Sequence, residues 1–144
     1  MRVRLLPLAA LVAASLFATS AASAQEVSYI GANSAANSDG SPFSSAVMVG
    51  NTLYLSGVLG RGETGEEAAR GALDSIRRTL EQADMTMDDL VNVQVFAVDL
   101  ADYAAFNEVY RTYFTREFPA RAFVGAGSLL ANARFEVLGV AVRR

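Results

Sequence analysis

Apolar residues follow two different spacings along the chain and divide it into predicted strands and helices. Alternating or continuous apolar runs predict strands at about 46–49, 52–56, 91–98, 121–126 and 135–142. Gly50-Asn51 separates the first two runs and tolerates positive φ, which predicts a tight hairpin. A further short strand is predicted near Val27 to Ile30, within a segment rich in Ser, Ala, Asn and Gly.

Two segments carry apolar residues at three- and four-residue spacing and are predicted helices. The first follows Thr64, a suitable N-cap, and its apolar stripe consists of Ala69, Ala72, Leu73, Ile76, Leu80 and Ala83. The second is predicted from about Asp102 to Phe118, where Pro119 ends it. Its stripe is aromatic and is interpreted as core, comprising Tyr103, Phe106, Tyr110, Tyr113 and Phe114.

The element order β-β-α-β-α-β-β indicates one α+β domain, with two helices packed on one face of a mixed sheet. The strands are nevertheless apolar on both faces. The strand at 91–98 is expected to direct Val91, Val93, Val95 and Ala97 to one side, and Phe96 and Val98 to the other. Another copy of the chain is the simplest cover for the bare face, so we predict a closed homo-oligomer with clefts at its interfaces.

The first 24 residues have the pattern of a secretory signal. Arg2 and Arg4 precede an apolar run, and Ala22-Ser23-Ala24 supplies the small residues of a cleavage site. The run is shorter than the ~20 residues that span a bilayer. We therefore expect residues 1–24 to be removed and residues 25–144 to form an exported, periplasmic or secreted domain without a membrane segment. An uncleaved N-terminal anchor is the alternative.

The composition excludes several kinds of chemistry. The chain has no Cys and no His, and all twelve basic residues are Arg, so Lys is absent too. Thiol nucleophiles, Ser-His-Asp triads, Schiff-base lysines and His/Cys zinc sites are thereby ruled out. Residues 25–144 carry 10 arginines against 15 acidic residues, a net charge of −5 that disfavours nucleic-acid binding.

The remaining candidates for chemistry are one cation and one carboxylate. Arg121 follows a helix-ending proline, and its guanidinium can hold a carboxylate through two parallel hydrogen bonds. Its alternative is a surface salt bridge. Glu136 shares an otherwise apolar strand face, where burial would make a carboxylate a stronger base. Its alternatives are a charge that guards an edge strand or a partner of Arg134.

Other polar positions are compatible with both a ligand site and an ordinary surface. Asn107 lies within the second predicted helix, where it could bind a ligand or merely face water. Ser56-Gly57 offers a hydroxyl and an approachable backbone, or simply the end of a strand.

Together these residues resemble the RidA family, also called YjgF/YER057c/UK114, of reactive imine and enamine deaminases. The matching segments run in family order over about residues 41 to 144. They are Ser41-Pro42-Phe43-Ser44-Ser45-Ala46, Leu53-Tyr54-Leu55-Ser56-Gly57, Val95-Phe96-Ala97-Val98-Asp99-Leu100-Ala101-Asp102-Tyr103, Asn107-Glu108-Val109-Tyr110, Phe118-Pro119-Ala120-Arg121 and Phe135-Glu136-Val137. The Phe-Pro-Ala-Arg segment with a Glu fifteen residues after its Arg is the specific part.

The resemblance implies a homotrimer of the chorismate-mutase-like fold, with a cleft between each pair of neighbouring subunits. It implies hydrolysis of 2-imino or 2-enamino acids to 2-oxo acids and ammonia, without a cofactor or metal. By the same resemblance, Arg121 clamps the substrate carboxylate and Glu136 positions or activates the attacking water. The implied lining of the cleft is Phe43, Ser56, Gly57, Asn107 and the backbone at Phe123.

Several residues depart from the family pattern. Phe43 stands where a tyrosine is common, Val58 replaces a glutamine, and Phe123 occupies the position of a small residue or cysteine. Leu130 and Leu138 replace a proline and an acidic residue. We therefore expect a pocket that is more apolar than usual.

Two other functions remain open at this stage. A non-catalytic trimer could bind small carboxylates or another metabolite in the same cleft, and a holdase-like protein could use an apolar surface. A ribonuclease activity is disfavoured by the negative charge and the missing His and Lys.

Overall fold

The computed structural model describes residues 25–31, 40 and 42–144. The segment 1–24, expected to be a signal peptide, lies outside the described residues. Among the helices that are described, none has both the length and the hydropathy needed to cross a bilayer.

The described residues form a six-stranded sheet and two α-helices, as the sequence predicts for a single α+β domain. The elements are β1 (Val27–Ile30), β2 (Ala46–Val49), β3 (Thr52–Gly60), α1 (Gly65–Glu81), β4 (Leu90–Ala97), α2 (Tyr103–Arg111), β5 (Ala120–Gly125) and β6 (Phe135–Val142). The strand order is β1-β2-β3-β6-β4-β5. Only the β4–β5 pair is parallel within this sheet, so the predicted mixed sheet is confirmed.

The local signals at β2–β3 and at α1 act as predicted. Gly50 has a φ of +60° in the turn that joins the two antiparallel strands. Thr64 accepts a hydrogen bond from the Glu67 amide at 3.2 Å and so caps α1. The predicted apolar stripe of α1 is buried, and α1 packs on β3 and β6.

The second helix is shorter than predicted. α2 ends at Arg111 rather than near Phe118. The Thr112 hydroxyl donates to the Val109 carbonyl at 2.7 Å, and the Asp88 carboxylate accepts the Thr115 amide at 2.9 Å. These side-chain bonds compete with further helical hydrogen bonds, so the chain turns away before Pro119.

Two residues are placed differently from the sequence prediction, which put Tyr103 in the core and Val91 on the same strand face as Val93. Tyr103, at the start of α2, is 48% exposed, although Phe106 and Tyr110 on the same stripe are buried. Val91 is 41% exposed because the β4–β6 register shifts between Leu90 and Asn92. This irregularity adds a residue to β4, so the alternation of faces begins again after Val91.

Both helices lie on one face of the sheet. Phe106 of α2 packs edge-on against Phe123 of β5 and Phe135 of β6, with ring centroids 5.5 and 5.0 Å apart. The opposite face carries apolar side chains that no described residue covers, including Tyr54 at 51% and Val124 at 45% exposure. This uncovered surface is called the bare face below.

Candidate active site

Arg121 projects from the edge strand β5 toward α2. Its Nη2 donates to Oδ1 of Asn107 at 2.7 Å, and its guanidinium carbon lies 4.6 Å from the ring centre of Tyr110. Rings of Tyr103, Phe106 and Phe123 lie at 5.8 Å. Aromatic faces attract a guanidinium and hold its plane in place.

Arg121 forms no ion pair in the described part of the chain. The salt bridges found there involve Arg77 and Arg134. A pocket of about 310 Å³ opens beside it, lined by Tyr103, Asn107, Tyr110 and Arg111 among others. A partly buried cation with free donors facing such a pocket can bind a carboxylate.

Tyr110 contributes a buried hydroxyl to the same surroundings. The side chain is 4% exposed, and its hydroxyl has no hydrogen-bond partner among the described residues. Burial raises the pKa of Tyr110 to about 12, against the opposing effect of the Arg121 charge, so the hydroxyl keeps its proton at neutral pH.

We expect Tyr110→Phe to leave the free energy of unfolding unchanged or to raise it by up to about 1 kcal/mol. The substitution removes a buried hydroxyl that makes no described hydrogen bond and keeps the ring that packs on Arg121. Urea unfolding of both proteins measures the difference. A loss of more than about 1.5 kcal/mol would mean that the hydroxyl has a partner in the assembled protein.

Glu136 lies on β6, between β3 and β4, so it cannot guard a sheet edge. Nor does it pair with Arg134, which donates two hydrogen bonds to Asp102 at 3.0 and 3.2 Å. The bond to Asp102 raises the pKa of Arg134. Both structural alternatives for Glu136 are therefore wrong.

A β-bulge positions Glu136 against Gly57. Between Leu55 and Val58 the β3–β6 register shifts, so that Ser56 and Gly57 occupy the irregular part of β3. A methyl group added at Gly57 would lie 3.0 Å from the carboxyl carbon of Glu136 and would overlap its oxygen. Any residue larger than glycine at position 57 would displace the Glu136 carboxylate from this position.

Ser56 holds the segment that precedes β2. Its hydroxyl donates to the Ser44 carbonyl at 2.7 Å, and its amide donates to the Ser45 carbonyl at 3.0 Å. Phe43, in this segment, is 58% exposed. Phe43, Ser56 and Gly57 line a second cavity, of about 440 Å³.

The predicted site residues form two separate groups within one chain. Arg121 is in register with Val93, which is buried under the helices, whereas Glu136 is in register with Phe96 and alternates with the buried Phe135. The side chains of Arg121 and Glu136 therefore leave the sheet on opposite faces. We call Arg121, Asn107 and Tyr110 the arginine half-site, and Glu136, Gly57, Ser56 and Phe43 the glutamate half-site.

Residues 33–143 match the family model described as Endoribonuclease L-PSP. A protein from the mite Dermatophagoides farinae, named 2-iminobutanoate/2-iminopropanoate deaminase, is 36% identical over 109 residues, covering 70% of this chain and 85% of that protein. The chain belongs to the RidA/YjgF/UK114 family.

Solved structures of RidA-family proteins have the same fold. The YjgF gene product of Escherichia coli is 31% identical, with a TM-score of 0.69 over 72% of this chain and 89% of that one. Escherichia coli TdcF, crystallised with bound serine, is 25% identical, with a TM-score of 0.70 over 72% and 90%. The fold implied by the resemblance is thus established for this chain.

The residues that depart from the RidA pattern differ in how far they are buried and in what they contact. The Phe123 ring packs edge-on against Tyr103 at 4.9 Å and joins the aromatic cluster beneath Arg121. Val58 packs against the core. Leu130 is 77% exposed.

The cavity at Phe43 is lined by Arg61, Arg78 and Thr79 as well, so it is not purely apolar within one chain. The expectation of a pocket more apolar than usual in the family stays a prediction. The sequence interpretation missed these two arginines, and it assigned Tyr103 and Tyr110 to the core alone. The spacing of Tyr103, Asn107 and Tyr110, four and then three residues apart, would have placed all three on one side of α2. In the described part of the chain, no three acidic side chains are close enough to form a metal site.

Proposed function

We propose that this protein hydrolyses reactive 2-imino and 2-enamino acids to 2-oxo acids and ammonia in clefts between the subunits of a homotrimer. The observation that carries the proposal is the guanidinium of Arg121, free of any described ion pair and open to a pocket. The name of the mite relative, 2-iminobutanoate/2-iminopropanoate deaminase, supports this reaction.

In this proposal Arg121 binds the carboxylate of the substrate. Asn107 accepts one guanidinium hydrogen bond at 2.7 Å and leaves the other donors for the ligand. The serine bound to TdcF is a molecule with such a carboxylate, which is consistent with this role. The carboxylate is held next to the carbon that reacts, so binding also orients the imine.

Glu136 then orients and deprotonates a water molecule. The water oxygen bonds to C2 of the protonated imine, and Glu136 takes a proton from that water. In the resulting carbinolamine, the proton on Glu136 moves to the amino nitrogen. The C2–N bond then breaks and releases ammonia, and the hydroxyl oxygen forms the C2 carbonyl as its own proton passes to the Glu136 carboxylate or to water. Imines hydrolyse readily, so positioning supplies much of the rate.

A second subunit is required to complete this site. Arg121 and Glu136 leave the sheet of one chain on opposite faces, so the arginine half-site of one copy has to meet the glutamate half-site of another. The apolar bare face, with Tyr54 and Val124 about half exposed, offers the surface for that association.

Native protein is expected to accelerate the loss of 2-iminopropanoate, generated by an amino-acid oxidase acting on alanine and followed by trapping the remaining imine. Arg121→Ala removes the carboxylate clamp and is expected to raise KM by at least about tenfold. Arg77→Ala is the matched control, because Arg77 is a surface arginine whose ion pairs with Asp74 and Glu81 contribute little.

Equal rates with native protein and Arg121→Ala would rule out this site. Saturable binding of a small carboxylate without any turnover, lost in Arg121→Ala, would instead favour the non-catalytic binder. The holdase-like alternative would be favoured if substitution of Arg121 changed no measured activity while substitution of an exposed apolar patch abolished activity.

A further inference from the structure

Two arginines line the cavity that Phe43, Ser56 and Gly57 share. Arg61 follows the last residue of β3, and Arg78 lies in the last turn of α1. Both line the cavity of about 440 Å³ that Phe43, Ser56 and Gly57 also line. Two cations have thus been brought to one concave surface by different elements.

Neither guanidinium has an anionic partner in the described residues. The ion pairs found there belong to Arg77 and Arg134, and no side-chain hydrogen bond involves Arg61 or Arg78. Like charges that share a cavity repel each other, and a bound anion would remove that repulsion. The cavity therefore favours a ligand that carries negative charge.

A glycine keeps one wall of this cavity open. Gly71 lies inside α1, where glycine costs about 1 kcal/mol relative to alanine. A methyl group there would meet nothing closer than the Arg61 carbonyl oxygen at 3.8 Å, so packing within the chain does not demand glycine. The open wall is explained if a ligand approaches α1 at this point.

Gly57 connects this cavity to the catalytic carboxylate. It lines the cavity, and it is also the residue against which the Glu136 carboxyl group lies. Glu136 lies on the face opposite the helices and Arg78 comes from α1, so the two adjoin only around Gly57, in the part of β3 beyond its pairing with β2. A substrate whose imine carbon is beside Glu136 would reach Arg61 and Arg78 by extending its side chain past Gly57.

We propose that Arg61 and Arg78 bind a second anionic group on the substrate, so that the protein prefers imino acids with an acidic side chain, that is, 2-imino dicarboxylic acids. This inference rests on the proposed function. The α-carboxylate is bound by Arg121 of one subunit, and the side-chain carboxylate by the arginine pair beside Glu136 of the other.

The test compares kcat/KM for 2-iminoglutarate and for 2-iminobutanoate, each generated by an oxidase acting on the corresponding amino acid. Native protein is expected to favour the dicarboxylate by at least about tenfold, the effect of one or two charge-assisted hydrogen bonds. The double variant Arg61→Gln/Arg78→Gln should lose that preference and keep its kcat/KM for 2-iminobutanoate within about twofold. Both positions are exposed, so the variant is expected to fold.

The matched control is Arg70→Gln/Arg77→Gln, which removes the same charge from the exposed side of α1 and should retain the preference. A native protein without preference, an unchanged ratio in Arg61→Gln/Arg78→Gln, or an equal loss in the control would each overturn the inference. If neither imine is turned over, the proposed function fails instead. Calorimetry with glutarate then still tests the arginine pair. Arg61→Gln/Arg78→Gln should weaken glutarate binding at least about tenfold. Unchanged glutarate affinity in that variant would contradict the site.

Discussion

Glu136→Gln is expected to lower kcat for 2-iminopropanoate by about 100- to 10,000-fold, the usual contribution of general acid–base catalysis. Glutamine has nearly the same shape and can still hold a water molecule, but it cannot accept a proton from that water. Because the α-carboxylate is bound at Arg121, KM should change little. Steady-state kinetics of both proteins measure the two constants separately.

The same variant tests whether two subunits share each site. Co-refolding equal amounts of Glu136→Gln and Arg121→Ala should restore activity to about one quarter of the native rate, because that fraction of interfaces unites an intact Arg121 with an intact Glu136. Neither variant alone should recover on refolding. If the mixture stayed as inactive as its components, a site that unites both residues across an interface would be excluded.

Gly57→Ala serves as an independent check on the position of Glu136. The added methyl group would overlap the carboxylate, yet it changes no charge and no catalytic group. A fall in kcat with Gly57→Ala, together with a native-like unfolding midpoint, would show that the place of the carboxylate matters as well as its charge.

The fold could be predicted from the sequence because local signals and apolar periodicity agreed. Gly50-Asn51 marked the β2–β3 turn, Thr64 marked the start of α1, and one apolar stripe identified the buried side of that helix. The errors arose where contacts distant in sequence decide the outcome. The Asp88 carboxylate accepts a hydrogen bond from the amide of Thr115, 27 residues away. The apolar periodicity of α2 does not show where such a bond ends the helix.

The candidate residues could be identified from the sequence, but their relative placement could not. The separation of fifteen positions between Arg121 and Glu136 does not indicate which face of the sheet each side chain takes. That depends on the pairing of β4 with β5 on one side and with β6 on the other. The arginine pair was missed for a similar reason, since Arg61 and Arg78 meet at one cavity only after α1 has packed on β3.

Phe106→Ala is expected to lower the free energy of unfolding by about 3–5 kcal/mol, the usual cost of emptying an aromatic core position. The side chain is fully buried, and its ring lies 5.0 Å from that of Phe135, 5.5 Å from Phe123 and 5.7 Å from Tyr110. Urea unfolding at a fixed chain concentration measures the loss, because association also stabilises an oligomer.

Phe106 also supports the catalytic arginine, with its ring centre 5.8 Å from the Arg121 guanidinium carbon. The cavity left by Phe106→Ala would free α2 to shift, so KM should rise even under conditions where the variant is folded. Phe118→Ala is the matched control for stability, because that ring is 55% exposed and its removal should cost less than about 1.5 kcal/mol. A Phe106→Ala protein as stable as Phe118→Ala would mean that the aromatic cluster beneath Arg121 does not hold α2 on the sheet.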